Sequence, residues 1–292
     1  MSPELSFHHV DVFADQPFCG NGLIVFISER FPKDAIMAAL TREVRQFESI
    51  FLAPAASPGT YRARIFTMNE ELPFAGHPIL GAAAVLHAQQ DTTVQDSDWS
   101  FALGERAVPV RSSRSDAGFS VEMSQGCPTL QIRIERDALA DVMEGLGLCS
   151  DDLHPQLAAA VVSTGLPYLI LPLRDSTALA SAEIVVADFE TRLAHFGAKF
   201  VYVLDVQQRE GRTWENNGSS EDSATGSAAG PVAAYLVDCG LAKTGELIKI
   251  RQGRFVNRPS HMVAKMGRES EITVCGDVVM IASGRFESSL LS

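Results

Sequence analysis

Two similar stretches decide the fold: Pro73-Phe-Ala-Gly-His-Pro-Ile-Leu-Gly-Ala-Ala-Ala-Val-Leu86 and Ser223-Ala-Thr-Gly-Ser-Ala-Ala-Gly-Pro-Val-Ala-Ala-Tyr-Leu236. Each places a glycine-containing turn before an alanine-rich run, and Gly76 and Gly226 stand 150 residues apart in a chain of 292. The runs predict helices over 79–89 and 228–239. Because helices that are apolar on nearly every side must be buried on every side, a sheet is expected to surround each of them.

The rest of the chain is dominated by short runs of Val, Ile and Phe bounded by turn residues, a pattern typical of strands. We therefore predict an α+β fold of two pseudo-repeated domains, each a curved, mostly antiparallel sheet wrapped around a central helix. The first domain is predicted over residues 1–124, completed by residues 279–292, and the second over residues 125–278. Chance similarity between two runs rich in Ala and Gly is the alternative. The stretch from Thr213 to Ser223 is predicted to be a mobile surface loop.

Composition excludes several classes of function. The chain has 36 acidic and 24 basic residues and a net charge of −12, which disfavours binding to nucleic acid and to anionic membranes. The five cysteines are scattered and form no Cys-x-x-Cys pair, so neither a disulfide framework nor a metal site is predicted. No signal peptide or membrane span is recognisable. We expect a cytoplasmic protein whose partner is a small molecule.

The starts of the two predicted helices are candidate anion sites. The first N–H groups of a helix lack partners within it, and the helix dipole adds about half a positive charge there. Gly76 and Gly226 would let a carboxylate approach the backbone closely, and Ser227 adds a hydroxyl. The alternative is that the glycines only form tight helix entries.

Four residues have side chains that could exchange protons, and three of them lie next to these turns in the sequence. His77 directly follows Gly76, and a histidine can exchange a proton near neutral pH. Glu221 and Asp222 precede the second turn, where they are either helix caps or groups that orient a substrate. Glu48 has apolar neighbours on both sides, an environment that can make a carboxylate a proton carrier. On composition alone, each of these residues also has an ordinary structural explanation.

Motifs for common cofactors and nucleophiles are missing from the sequence. The run around Ser227 does not have the Gly-x-Ser-x-Gly pattern of a hydrolase nucleophile. Neither the Gly-x-Gly-x-x-Gly pattern of dinucleotide folds nor a phosphate-loop motif occurs. The sequence therefore gives no support for ATP or NAD, and no cofactor is predicted.

The chain resembles the PhzF-like phenazine-biosynthesis isomerases, which have the diaminopimelate epimerase-like fold. The matching segments follow one another in family order from residue 11 to residue 260: Asp11–Phe26, Glu48–Phe51, Arg64–Thr67, Glu71–Gly81, Glu221–Gly230, Gln252-Gly and Arg258-Pro-Ser260. The resemblance implies two similar domains with the active site in the cleft between them, and a homodimer. It also implies proton transfer on a small carboxylic acid without metal or cofactor.

Individual roles follow from the same resemblance. The family's catalytic glutamate corresponds to Glu48, and its cleft histidine, aspartate and serine correspond to His77, Asp222 and Ser227. The predicted catalytic residues are therefore Glu48, His77 and Asp222. A further set is predicted to bind substrate at the two turns: Gly76, Thr225, Gly226 and Ser227.

Two departures from the related families limit what the resemblance implies. Epimerases and racemases of this fold use a pair of cysteines, whose places are taken here by Ala75 and Thr225. Isomerisation with Glu48 as single base remains available. The residues around Glu48 also differ from the family's usual pattern, which leaves the substrate open. The alternatives to an isomerase are a dehydratase or cyclase acting on a small acid, and a homologue that binds a small molecule without turnover.

Overall fold

The computed structural model describes residues 5–116 and 118–287. The chain divides into two compact units. Unit 1 lies within Met1–Ser124 and Cys275–Ser292, and unit 2 is Gln125–Val274. The long last strand begins in unit 2 and ends in unit 1, so unit 1 is built from two separate parts of the sequence.

Unit 1 is mainly strands. Its helices are α1 (Asp34–Val44) and α2 (Gly76–Ala88). Its strands are β1 (Leu5–Val12), β2 (Asn21–Ile27), β3 (Glu48–Pro54), β4 (Thr60–Thr67), β5 (Glu71–Leu72), β6 (Asp96–Leu103), β7 (Arg106–Ser115), β8 (Gly118–Gly126) and most of β16 (Ile272–Phe286).

The strands of unit 1 close into a barrel. Their order is β1-β2-β3-β4-β6-β7-β8-β16, and β16 returns to pair antiparallel with β1, from Leu5 opposite Phe286 to Val12 opposite Val278. The pairs β2–β3 and β4–β6 are parallel, whereas β1–β2, β3–β4 and β6–β7 are antiparallel. Closure leaves no free sheet edge along this ring. The sequence predicted a curved sheet but not its closure.

Helix α2 is buried along nearly its whole length, from Gly76 to His87, and contacts strands β1, β2, β3, β6 and β7. Gly81 allows the close approach: a Cβ there would lie 2.4 Å from Cδ2 of Leu23. Helix α1 packs on the other face of the sheet, where Met37 and Leu40 join a cluster of buried apolar side chains with Phe26 and Phe51.

Unit 2 contains the remaining elements. Its strands are β9 (Thr129–Ile134), β10 (Ala159–Ser163), β11 (Pro167–Leu173), β12 (Phe200–Asp205), β13 (Glu210–Arg212), β14 (Ile248–Gln252), β15 (Ser260–Met266) and the start of β16. Its helices are α3 (Ala140–Gly145), α4 (Ser176–Ser181), α5 (Phe189–Ala194) and α6 (Gly226–Asp238). Short 3₁₀ turns cover Arg136–Leu139, Ser150–Asp152 and Arg254–Val256.

The sheet of unit 2 runs β15-β14-β13-β12-β11-β10-β9. The pairs β11–β12 and β13–β14 are parallel. Helix α6 packs against β10, β11 and β15, and its residues from Ala228 to Leu236 are buried. Burial of both alanine-rich helices agrees with the expectation drawn from their composition.

The prediction of a mobile surface loop from Thr213 to Ser223 is wrong at both ends of the stretch. Thr213 and Trp214 are buried, and Trp214 forms an isolated antiparallel bridge with Glu221. The side chains of Glu221 and Arg212 form an ion pair in which both are at most 9% exposed. The polar composition of this stretch suggested a mobile loop. However, the buried Arg212 needs a counter-charge, and its ion pair with Glu221 fixes this end of the stretch against the rest of unit 2.

Candidate active site

Glu48 and His77 meet within unit 1. Glu48 is the first residue of β3, where it pairs in register with Leu23 on β2 and Thr67 on β4. His77 is the second residue of α2. Its Nδ1 lies 3.4 Å from Oε2 of Glu48, and the two side chains are only 7% and 9% exposed. The structure thus brings together two of the three predicted catalytic residues.

Burial controls the charge of His77. Desolvation lowers the pKa of its imidazole from 6.5 to about 3, because the charged form loses its hydration. The contact with Glu48 is therefore one between a carboxyl group and a neutral ring near pH 7, although its distance is that of an ion pair. Nε2 of His77 is also buried and has no hydrogen-bond partner among residues 5–116 and 118–287.

The start of α2 has no side-chain cap. Its N-cap is Ala75, in an extended conformation, and a methyl group cannot accept a hydrogen bond from the first turn. Gly76 and His77 open the helix, and Pro78 fits the first turn because a proline there removes no bond within the helix. The polarised helix end therefore lies next to the Glu48–His77 pair.

In unit 2, Asp222 and Thr225 are bonded to each other. The hydroxyl of Thr225 donates to Oδ2 of Asp222 at 2.6 Å, and the N–H of Ala224 donates to Oδ1 at 3.3 Å. Thr225 is the N-cap of α6, but its side chain makes no capping bond to the first turn because the hydroxyl is directed to Asp222. The Thr225 hydroxyl and the Ala224 N–H, which donate to the Asp222 carboxylate, both precede the first helical residue, Gly226.

Gly226 and Ser227 are the first two residues of α6. The Ser227 hydroxyl is 2.7 Å from Oη of Tyr168, and the Gly226 carbonyl accepts from Nε2 of Gln125 at 2.8 Å. These bonds fix the first turn of the helix from two directions.

Glu221 has a structural position, which separates it from its neighbour Asp222. Nη2 of Arg212 donates to its Oε2 at 2.7 Å and Nε donates to its Oε1 at 3.1 Å. Nη1 of Arg212 also donates to the carbonyls of Leu179 and Ala182, at the end of α4. Of the two acidic residues before the second turn, Asp222 is the one that is bonded to another predicted site residue, Thr225.

The Gln252-Gly and Arg258-Pro-Ser260 motifs hold the segment before α6. Gly253 has φ of +82°, and a Cβ there would lie 2.2 Å from the carbonyl oxygen of Arg258 and 2.5 Å from that of Ser223. The Ser260 hydroxyl lies 2.7 Å from the same Ser223 carbonyl oxygen. Only a glycine allows this approach of three backbone segments.

Three side chains contact predicted site residues without having been predicted to do so: Gln125, Tyr168 and Gln252. Gln252 was marked by its motif, but nothing in the motif states that its amide bonds Asp222 and Thr225. Tyr168 belongs to strand β11, whose nearly continuous apolar run gives no sign of a polar contact.

The described part of the chain contains no candidate metal-binding cluster and no candidate membrane-spanning helix. No three His, Cys, Asp or Glu side chains there are grouped so that they would hold a metal ion. None of the helices in residues 5–116 and 118–287 combines the length and apolarity needed to cross a membrane.

Comparison with solved structures defines the class of fold. A probable proline racemase from Agrobacterium radiobacter with bound carbonate superimposes with a TM-score of 0.60 over 97% of this chain and 93% of that one, at 13% identity. A predicted epimerase from Pseudomonas aeruginosa gives a TM-score of 0.90 and 47% identity, with 96% and 98% of the two chains covered. The fold is that of the PhzF and proline racemase-like proteins.

The family follows from sequence. The PhzC-PhzF model, described as phenazine biosynthesis-like protein, matches residues 10–284. The trans-2,3-dihydro-3-hydroxyanthranilate isomerase of Pseudomonas fluorescens is 31% identical over 285 residues, covering 94% of this chain and 96% of the relative. The chain belongs to the PhzC-PhzF family.

Proposed function

We propose that this protein is an isomerase that moves a proton on a small carboxylic acid without a cofactor, with Glu48 as the single base. Membership of a family with named isomerases supports an enzyme of this class. His77 and Asp222 orient the substrate or relay the proton, and Gly76, Thr225, Gly226 and Ser227 bind it. The active site is proposed to lie between two domains, residues 1–124 with 279–292 and residues 125–278, derived from one duplicated unit.

The Glu48–His77 contact is the observation that carries the proposal. A neutral imidazole has one N–H, and we assign it to Nδ1, which lies 3.4 Å from Oε2 of Glu48, at ion-pair distance but without a hydrogen bond between the two atoms. Nε2 then offers a lone pair in a buried position. The carboxylate can take a proton from a substrate carbon and return it to another carbon, while the imidazole accepts a hydrogen bond from the substrate.

Substrate binding is supported by the two helix starts. Neither Ala75 nor Thr225 caps its helix through a side chain, so neither competes with a substrate carboxylate for the N–H groups of the first helical residues, Gly76 and Gly226. Because His77 is neutral, it cannot form an ion pair with the substrate carboxylate. The acid is held by backbone dipoles, and the carboxylate of Glu48 stays available as base.

Racemisation by two cysteines is not compatible with the residues at the helix starts. The N-cap positions, which correspond to the cysteines of racemases with this fold, hold Ala75 and Thr225. A methyl group and a hydroxyl bonded to Asp222 cannot act as thiolate bases. This favours proton movement between carbons over inversion at one carbon, although one structural relative is named a predicted epimerase.

The experiment measures deuterium uptake from D₂O into trans-2,3-dihydro-3-hydroxyanthranilate, the compound in the relative's name. Wild-type protein is expected to convert it with unchanged mass apart from the deuterium. Glu48→Gln should abolish conversion and uptake while binding, measured by calorimetry, persists. Glu210→Gln is the matched control, because Glu210 is also buried but pairs with Arg254.

Three outcomes would contradict the proposal. Full activity of Glu48→Gln would remove Glu48 from the mechanism. A product lighter by one water would indicate a dehydratase. Binding without any exchange in the wild-type protein, tested with a panel of small carboxylic acids, would indicate a protein that binds without turnover.

A further inference from the structure

Gln252, at the end of β14, is the centre of a buried hydrogen-bond network around Asp222 and Thr225. It is 1% exposed, and its amide makes four hydrogen bonds. Nε2 donates to the carbonyl of Asp222 at 2.7 Å and to Oγ1 of Thr225 at 2.9 Å. Oε1 accepts from the N–H of Thr225 at 3.2 Å and from Oη of Tyr202 at 3.1 Å. The amide is therefore fully satisfied.

The backbone partners fix which way the amide points. A backbone N–H can only donate, so the atom facing the Thr225 N–H is the oxygen of Gln252. A backbone carbonyl can only accept, so the atom facing the Asp222 carbonyl is the nitrogen. A flip of the amide would set two donors against each other and two acceptors against each other, at the cost of two buried bonds.

The orientation of the Gln252 amide also sets the direction of the hydrogen bond between Thr225 and Asp222. Because Nε2 of Gln252 donates to the Thr225 hydroxyl oxygen, the hydroxyl's own proton is left for Oδ2 of Asp222, at 2.6 Å. Oδ1 of Asp222 accepts from the N–H of Ala224. Both carboxylate oxygens thus receive hydrogen bonds, the arrangement that suits an ionised carboxylate.

Tyr202 contributes a donor without setting the direction. Its ring is fully buried beside Gly211, where a Cβ would lie 2.0 Å from Cε1 of the tyrosine. Burial, assisted by the charge of Asp222, raises the pKa of Tyr202, so its hydroxyl keeps its proton. Removal of the Tyr202 hydroxyl would leave Oε1 of Gln252 bonded to the Thr225 N–H.

We propose that Gln252 is a positioning residue that keeps Asp222 as a hydrogen-bond acceptor toward the substrate, so that Asp222 does not act as a proton donor. The effect of Gln252 on catalysis rests on the proposed function. The network itself lies within unit 2 and can be tested without a substrate.

The test compares Gln252→Glu with Tyr202→Phe in the full chain. Glutamate has nearly the same shape but no N–H, so the Thr225 hydroxyl turns from Asp222 to the new carboxylate. With trans-2,3-dihydro-3-hydroxyanthranilate as probe, Gln252→Glu should lower kcat at least 30-fold with KM changed less than threefold. Tyr202→Phe should lower Tm but change kcat less than threefold, because it keeps the direction of the network.

A second measurement needs no turnover. In ¹⁵N-labelled wild-type protein, both side-chain amide protons of Gln252 should exchange with D₂O at least 100-fold more slowly than those of the exposed Gln156. They should remain slow in Tyr202→Phe, and in Thr225→Val one of the two should become fast.

The outcomes separate this inference from the proposed function. Equal losses of kcat in Gln252→Glu and Tyr202→Phe overturn the positioning role, as does rapid exchange of both Gln252 protons in the wild-type protein. If the wild-type protein does not turn over the probe or other small acids, the proposed function fails. The exchange rates then decide on the network alone: a Thr225→Val variant with both protons slow overturns it.

Discussion

Glu48 and His77 come together because β3 begins where α2 begins inside the same unit, and burial then sets their chemistry. The imidazole is neutral at physiological pH because desolvation by burial lowers its pKa to about 3. The type of residue was visible in the sequence, but its charge depends on exposure, which the sequence does not state.

His77 makes stability depend on pH. Its pKa is lowered from 6.5 to about 3 in the folded protein, so between these values the unfolded chain binds a proton that the native state does not. Stability is full above 6.5 and falls as the pH drops toward 3, by up to about 1.4 kcal/mol per unit. From pH 6.5 to 5, urea unfolding should show the wild-type protein losing about 2 kcal/mol more than His77→Gln. Equal losses would contradict the lowered pKa.

The Arg212–Glu221 pair should be important for stability because both groups are buried. Glu221→Gln leaves the guanidinium without its counter-charge and should lower the free energy of unfolding by about 3 kcal/mol, measured by urea denaturation. Glu210→Gln is the control, since its partner Arg254 has a side chain 56% exposed and water replaces the lost charge. Its loss should be about 1 kcal/mol. Similar losses in the two variants would contradict this reasoning.

At the scale of elements, the two alanine-rich helices begin earlier than predicted. Helix α2 starts at Gly76 and α6 at Gly226, whereas the alanine runs predicted starts at residues 79 and 228. Proline and glycine were interpreted as turn residues, yet both fit the first turn of a helix when the surrounding sheet packs against it. The difference matters because it makes the glycines part of the helix start.

Gly81 in α2 gives a prediction in which packing opposes helix propensity. Alanine is favoured over glycine within helices by about 1 kcal/mol, but a Cβ at Gly81 would press on Leu23 and Val10. Gly81→Ala should therefore lower the free energy of unfolding by about 1–2 kcal/mol. Ala39→Gly, on the exposed face of α1, is the propensity control and should lose about 1 kcal/mol. A stabilised Gly81→Ala variant would show that the barrel interior has spare room.

At the scale of the whole molecule, unit 1 depends on a strand from the far end of the chain. Residues 278–286 of β16 pair with β1 and close the barrel. Leu5 lies opposite Phe286, so the two ends of the unit are neighbours in an antiparallel pair. The two parts could therefore be joined by a hairpin turn.

A permuted chain tests this arrangement. Residues 275–287 joined through Asn-Gly to residues 5–124 should unfold cooperatively on heating, followed by circular dichroism, because every strand of the barrel is present. Residues 5–124 alone lack the closing strand and expose the edges of β1 and β8, so they should aggregate or melt without a transition. Cooperative melting of both chains alike would contradict the need for closure.

Several features of the site could be predicted from the sequence. Glu48, His77, Asp222 and Thr225 were selected from motifs, and the structure brings Glu48 to His77 and Asp222 to Thr225. Their catalytic roles and the two-domain division stay predictions. The contacts of Gln252, Tyr202 and Arg212 were not predicted because their partners belong to other strands, helices or loops, and no local pattern records such a contact.

The sequence by itself determined the family, the burial of two alanine-rich helices and the residue types available for proton transfer. These follow from composition and from motifs that are local in the chain. Only the tertiary structure decided the closing of the barrel by β16, the neutrality of His77 and the direction of the hydrogen bonds from Gln252 to Asp222. Each of these depends on desolvation or on a partner far away in sequence, and both arise only when the strands are packed together.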